Sequence, residues 1–153
     1  MPKIYDNIEN FLVQGLKDTL DVSYRSDFCV GYFNLRGWKE VAAKIDLWEG
    51  GENNACRLLV GMQKAPTELV REYFTHAEEQ VVDNAYALKI RKELAREFKD
   101  QLTIGTPTEN DENALRKLSK QIKQKKVIVK LFLKHNLHAK LYLCFHGKKF
   151  VNC

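Results

Sequence analysis

The chain has 153 residues, of which 25 are Lys or Arg and 20 are Asp or Glu, giving a formal net charge of +5. Its length suits one domain, and a hydrophobic content of 44% can bury a core, which excludes disordered, collagen-like and coiled-coil classes. No uncharged apolar run approaches the roughly 18 residues of a membrane span, and residues 1–6 lack the apolar region of a secretion signal. We therefore expect a cytoplasmic protein with reduced cysteines and no membrane partner.

The charge is distributed unevenly along the chain. Residues 1–114 carry 14 basic and 20 acidic side chains, whereas residues 115–153 carry 11 basic side chains and no acidic one. The basic section is not a disordered tail, because its lysines alternate with apolar residues, as in 127–133, which favours strands.

Apolar spacing in the first half predicts alternating helices and strands. In chain order these are a helix over 6–21 capped by Asp6, a strand over 28–33, a turn over 34–37, a helix over 38–48 and a strand over 57–62. Both strands are continuous apolar runs, which predicts burial on both faces. Trp38 and Trp48 are expected in the core.

The second half predicts long helices followed by consecutive strands. In chain order these are helices over 66–100, a break at 105–108, a helix over 109–124, strands over 127–133 and 137–145, a turn at 146–148 and a strand over 149–152. Together the elements predict an α/β fold, with a mixed sheet flanked by helices in one domain over 1–153. Because the last strand runs into the end of the chain, we expect a truncated domain.

The candidate catalytic residues are His138 and Lys140. On a strand they share one face with Tyr142 and Cys144 and lie roughly 6.5–7 Å apart, which lets an imidazole and an ammonium engage one phosphate group. The imidazole can attack phosphorus or transfer a proton, and the lysine can stabilise negative charge. The alternative is a half-buried strand histidine without a chemical role, since His-x-Lys is a short pattern that recurs at 146–148.

Four further lysines are candidates for binding nucleic-acid phosphates: Lys130, Lys134, Lys148 and Lys149. Such contacts are independent of base sequence and weaken with salt. The alternative is that these lysines protect a sheet edge against pairing with another chain. No metal or cofactor is expected in this segment, because no second ligand pair has zinc-finger spacing and no P-loop pattern occurs.

Three segments resemble the phospholipase D-like superfamily: Gly31–Gly37 and Leu58–Gly61 resemble its first two strands, and Leu137–Tyr142 resembles its His-x-Lys strand. With the helical insertion at about 66–124, the chain is most similar to the phospholipase D-like domains at the N-termini of bacterial superfamily II DNA helicases. The resemblance implies a truncated single repeat and cleavage of phosphodiesters without metal. One His forms a phosphohistidine, and a second His, from another repeat or a homodimer partner, protonates the leaving oxygen.

Two functions stay open. In the first, the chain is the N-terminal accessory domain of a DNA helicase or related DNA-processing protein. It would bind nucleic-acid phosphates and hydrolyse phosphodiesters through His138 and Lys140. ATP would be a cofactor of the parent protein only. In the second, it is a catalytically inactive DNA-binding or dimerisation module. The second is favoured by Phe145, which stands where the family usually has Asp, seven residues after the His.

Overall fold

The computed structural model describes residues 4–6, 8–62, 84–104 and 108–147. The predicted strand over 149–152 and the first part of the predicted long helices, up to residue 83, lie outside these ranges. The described residues form four helices and four strands. They are α1 (Leu12–Asp21), β1 (Ser23–Val30), α2 (Leu35–Asp46), β2 (Cys56–Gly61), α3 (Asn84–Leu102), α4 (Glu109–Lys123), β3 (Val127–Phe132) and β4 (Lys140–His146).

The four strands form one mixed sheet in the order β3-β2-β1-β4. β1, β2 and β3 are parallel, and β4 runs antiparallel to β1. The carboxyl ends of the parallel strands therefore meet at one edge, and β4 begins at that same edge. This arrangement confirms the predicted α/β class with a mixed sheet flanked by helices.

The core lies between the sheet and the helices. Alternate strand residues and the inner faces of α1, α2 and α4 supply its buried side chains, among them Leu20, Phe28, Val30, Ile45, Leu58, Val60 and Leu118. Trp38 and Trp48 are only 2% and 6% exposed, which confirms their predicted place in the core.

The opposite side of the sheet, which we call the open face, is not covered by any described helix. Its β4 residues Leu141 and Leu143 are 50% and 45% exposed. Arg57 of β2 is exposed and donates from Nε to Asp27 of β1 at 2.6 Å, while Cys29 is only partly buried. The prediction that β1 and β2 are buried on both faces is therefore wrong for the described part of the chain. Because side chains alternate along a strand, Asp27 and Arg57 lie on this face while the buried residues next to them lie on the other.

Two predicted boundaries also move. β1 begins at Ser23 and ends at Val30, instead of spanning 28–33, because its first half alternates polar with buried residues and lacks an apolar run. The predicted turn at 34–37 is the first turn of α2, where the Asn34 side chain caps the helix by accepting from the Gly37 N–H at 2.9 Å.

The predicted helix over 6–21 starts at Leu12, later than the sequence indicated. Asp6 acts as a cap for the preceding turn instead. Its carboxylate accepts from the backbone N–H groups of Ile8, Glu9 and Asn10 at 2.9–3.1 Å.

α4 begins with a capping box. Thr108 donates from its backbone N–H and its hydroxyl to the Asp111 carboxylate at 3.0 and 2.8 Å, and its hydroxyl accepts from the Asp111 N–H. Lys39 of α2 donates to the same carboxylate at 2.6 Å. The hydrogen bond from Lys39, with those from Thr108, lowers the pKa of Asp111 to about 2.

A buried glutamine joins α2 to α4. Gln121 is 1% exposed and accepts from the Trp38 indole N–H at 3.0 Å. Its amide nitrogen donates to Ala42 O at 2.8 Å and to Asp46 at 2.6 Å. Both ends of the carboxamide are thus satisfied inside the core, which fixes the relative position of the two helices.

Candidate functional site

His138 and Lys140 line the same cleft, at the carboxyl ends of β1 and β2. The cleft encloses about 640 Å³, and both side chains are exposed to solvent. Gly31, Tyr32 and Met62 form part of its wall. The two residues that the sequence singled out are therefore brought together at an accessible edge of the sheet, the position where ligands commonly bind in α/β folds.

The predicted strand over 137–145 is shorter than expected at its start. β4 begins at Lys140, so His138 lies in the connecting segment before the strand. Lys140 pairs with Val30, the last residue of β1. The alternation predicted beyond Lys140 is present, since Tyr142 and Cys144 pack against the core while Leu141 and Leu143 lie on the open face.

Two glycines let the segment before β4 cross the strand ends. The Gly31 N–H donates to Ala139 O at 2.8 Å, and a Cβ at Gly31 would lie 2.2 Å from Leu137 O. A Cβ at Gly61 would lie 2.7 Å from Gly31 O and 2.9 Å from the Leu137 Cβ. A side chain at either position would displace the backbone that carries His138. A glycine at the end of a strand is the sequence signal for such a close approach.

The cleft is suited to an anion. Among the described residues that line it none is Asp or Glu, and Lys140 supplies a positive charge. The imidazole of His138 can exchange a proton or act as a nucleophile, and the ammonium of Lys140 can bind an anionic oxygen.

Sequence reasoning did not assign a role to Tyr32, Met62 or Asn136, which also line the cleft. Tyr32 follows the Gly31 that approaches Leu137, and Asn136 is two residues from His138. Met62 follows β2, and no local sequence pattern predicts that it lines the cleft, because its position depends on the order of the strands in the sheet.

Of the four lysines predicted to bind phosphates, the structure describes Lys130 and Lys134, and these two lie in different parts of the fold. Lys130 lies on β3 and lines a separate groove on the open face, beside Arg57 and Asp27. Lys134 is exposed in the connection between β3 and β4. Lys148 and Lys149 lie outside the described residues. Phosphate binding by all four stays a prediction.

Three other basic residues of the section 115–153 are engaged within the fold. Arg116 pairs with Glu112 on α4, and Lys117 pairs with Asp46 at 2.8 Å. Lys126 donates to Asp46 O at 2.6 Å. Two of the eleven positive charges, those of Arg116 and Lys117, are thus paired with carboxylates inside the fold.

Asp27 forms ion pairs with two arginine side chains on the open face. Its carboxylate binds Arg57 through two guanidinium nitrogens and lies 3.6 Å from the guanidinium of Arg25. The hydrogen bonds from Arg57 lower the pKa of Asp27, with help from the charge of Arg25. Arg25 also stacks on the ring of Phe145, 3.8 Å from its centroid. Phe145 therefore packs on the open face.

Within the ranges that the structure describes, no three His, Cys, Asp or Glu side chains lie close enough to hold a metal ion. No helix in those ranges is long and apolar enough to cross a membrane. Comparison of the chain with protein-family models, curated proteins and solved structures gave no match.

Proposed function

We propose that this chain is a phospholipase D-like domain that binds nucleic-acid phosphates at the cleft of His138 and Lys140 and hydrolyses phosphodiesters there. The observation that carries the proposal is the convergence of these two exposed side chains on one cleft without a described acidic neighbour. The motif resemblance and the excess of basic residues after position 114 support the choice of nucleic acid, with DNA as the expected form.

The proposed reaction has two steps. An imidazole nitrogen of His138 attacks phosphorus, forming an N–P bond while the bond to the leaving oxygen breaks. A proton from a second histidine goes to that oxygen. Water then attacks phosphorus and gives a proton back to the second histidine, and the N–P bond breaks to restore His138, while Lys140 holds the phosphate oxygens throughout. The second histidine would come from another repeat or from a partner copy of the chain.

The parent protein is proposed to be a DNA helicase or related DNA-processing protein, with this domain as its N-terminal accessory part. The support is the similarity of the three motif segments and the helical insertion that the sequence predicts at about 66–124. ATP would be used by the parent protein.

The test is a nuclease assay on the full chain and on its parent protein in EDTA, comparing wild type with His138→Ala and Lys140→Ala. Loss of a nucleophile or proton-transfer group should slow cleavage by at least about 100-fold. Tyr24→Ala is a matched control, because Tyr24 is exposed on β1 but does not line the cleft. Equal cleavage by wild type and His138→Ala would remove His138 from the mechanism.

A catalytically inactive DNA-binding or dimerisation module is the second candidate. The observation that favours it is Phe145, which occupies the family's Asp position and stacks with Arg25 on the open face. It predicts binding that falls steeply with salt and no cleavage. Weaker binding by Lys130→Glu and Lys134→Glu, with no effect of His138→Ala, would favour this candidate.

A further inference from the structure

A second, more apolar cavity lies beside the cleft, on the helix-covered side of the sheet. It encloses about 400 Å³ between α1, the start of α2 and the strands. Leu12 and Leu16 of α1, Phe28 of β1 and Phe33 form much of its wall. This volume lies within the range typical of small-molecule sites.

The cavity and the cleft share part of their walls. Val30, Tyr32 and Tyr142 line both, so a molecule bound in one can extend into the other. Tyr32 is 42% exposed and presents an aromatic side chain at the junction. The shared wall places the aromatic side chain of Tyr32 next to the predicted phosphate-binding site.

Two polar side chains, Asn34 and Glu40, also line the cavity, and an acyl chain would not use them. The Glu40 carboxylate is paired with the Lys17 ammonium at 2.6 Å. The Asn34 carboxamide lies on the cavity wall, and its oxygen accepts from the Gly37 N–H at 2.9 Å. Because the oxygen is engaged in this way, the amide nitrogen of Asn34 is the part of the side chain that can donate a hydrogen bond to a ligand. An apolar cavity with an aromatic wall and a hydrogen-bond donor suits a planar heterocycle, whose faces stack and whose edge accepts hydrogen bonds.

We propose that this cavity holds the nucleobase adjacent to the phosphate bound by His138 and Lys140, with Tyr32 in contact with it. The inference rests on the proposed function and names its substrate class as single-stranded nucleic acid. A base in a duplex is paired and stacked, and extracting it is unfavourable, whereas an unpaired base enters without that penalty.

Binding of a fluorescein-labelled single-stranded oligonucleotide, followed by anisotropy at fixed salt, tests the inference. It is compared with a duplex of the same sequence and with the same backbone made entirely of abasic sites. Wild type should prefer the strand with bases by about tenfold or more over the abasic backbone. Tyr32→Ala should remove most of that preference. Tyr24→Ala is the control, since Tyr24 is equally exposed and lines neither space.

A second variant tests the cavity even if Tyr32→Ala does not fold. Val13 lies on the cavity wall at the surface of α1, so Val13→Trp should occupy part of the cavity and also reduce the preference for bases. Unchanged preference in both Tyr32→Ala and Val13→Trp would overturn the inference. Stronger competition by phosphatidylglycerol vesicles than by the oligonucleotide would overturn it in favour of an acyl chain.

Failure of the proposed phosphate site and failure of the nucleobase site give different results in these measurements. Phosphate binding is measured on the abasic backbone, which Lys140→Ala should weaken. If Lys140→Ala weakens it and the cavity variants change nothing, the proposed function stands and the nucleobase site is refuted. If Lys140→Ala leaves the abasic backbone bound as tightly as wild type does, the phosphate site is refuted and the nucleobase inference falls with it.

Discussion

Replacing Gly31 with alanine should displace His138 and lower the stability of the fold without removing any charged side chain. The added Cβ would lie 2.2 Å from Leu137 O, so the segment before β4 must retreat by at least about 1.2 Å to reach the ordinary contact distance of 3.4 Å. That retreat also strains the 2.8 Å hydrogen bond from the Gly31 N–H to Ala139 O. Because His138 lies between Leu137 and Ala139, it must move with them.

The magnitude follows from two contributions. Overpacking costs about 1–3 kcal/mol and a weakened hydrogen bond about 1 kcal/mol, so Gly31→Ala should lose about 2–4 kcal/mol of unfolding free energy. For a domain of this size the Tm should fall by roughly 5–15 °C. Displacing His138 should weaken oligonucleotide binding by about tenfold, a difference of about 1.4 kcal/mol.

The assays are thermal melting by circular dichroism and anisotropy titration with the single-stranded oligonucleotide. Gly147→Ala is the matched control, because a Cβ there meets nothing closer than Tyr24 Cδ1 at 3.9 Å. If Gly31→Ala melts and binds as Gly147→Ala does, the close approach at Gly31 does not hold His138 in the cleft, and the reasoning is refuted.

Three further predictions concern the scaffold. Gln121→Leu leaves the Trp38 indole N–H without its acceptor and should cost about 2–4 kcal/mol in urea denaturation, and a loss below about 1 kcal/mol would contradict the network described. The pKa of Asp111 is about 2 in the folded protein against an ordinary 3.8. The stability from its carboxylate is therefore complete above about pH 4 and lost as the pH falls to 2. Thermal melts of Asp111→Asn should decline less than wild type across this window, and parallel declines would refute the assignment. Burial raises the pKa of the Cys56 thiol to about 12, so mass spectrometry should find it unmodified by iodoacetamide at pH 8 until urea unfolds the chain. Rapid labelling in native buffer would show that Cys56 is accessible.

The helices and strands with strong apolar periodicity were predictable from the sequence. β2, β3 and α4 lie within one residue of their predicted bounds, because each is a continuous apolar run or an amphipathic segment with a clear cap. The start of β1 was predicted too far along the chain because Arg25 and Asp27, which alternate with its buried residues, interrupt the apolar pattern. The position of Asp27 on the strand is stabilised by its ion pair with Arg57, thirty residues further along, which no local sequence pattern indicates.

The candidate site was only partly predictable. The pair His138 and Lys140 is visible as a short motif, but their common cleft depends on β4 pairing with β1 and on the glycines that admit the crossing segment. Tyr32 lines the cleft from the connection between β1 and α2, and Met62 lines it from the residue after β2. Such contributions arise from strand order, which local sequence does not encode.

The pairing of β4 with β1 also determines when the cleft can form. Val30 and Lys140 are 110 positions apart in the sequence, and contacts of such long range form slowly, since the intervening loop must first be closed. During synthesis β1 leaves the ribosome well before its antiparallel partner exists, and its edge is then unpaired. The cleft should therefore be among the last features to assemble, and intermediates that lack β4 should expose the edge of β1 to aggregation.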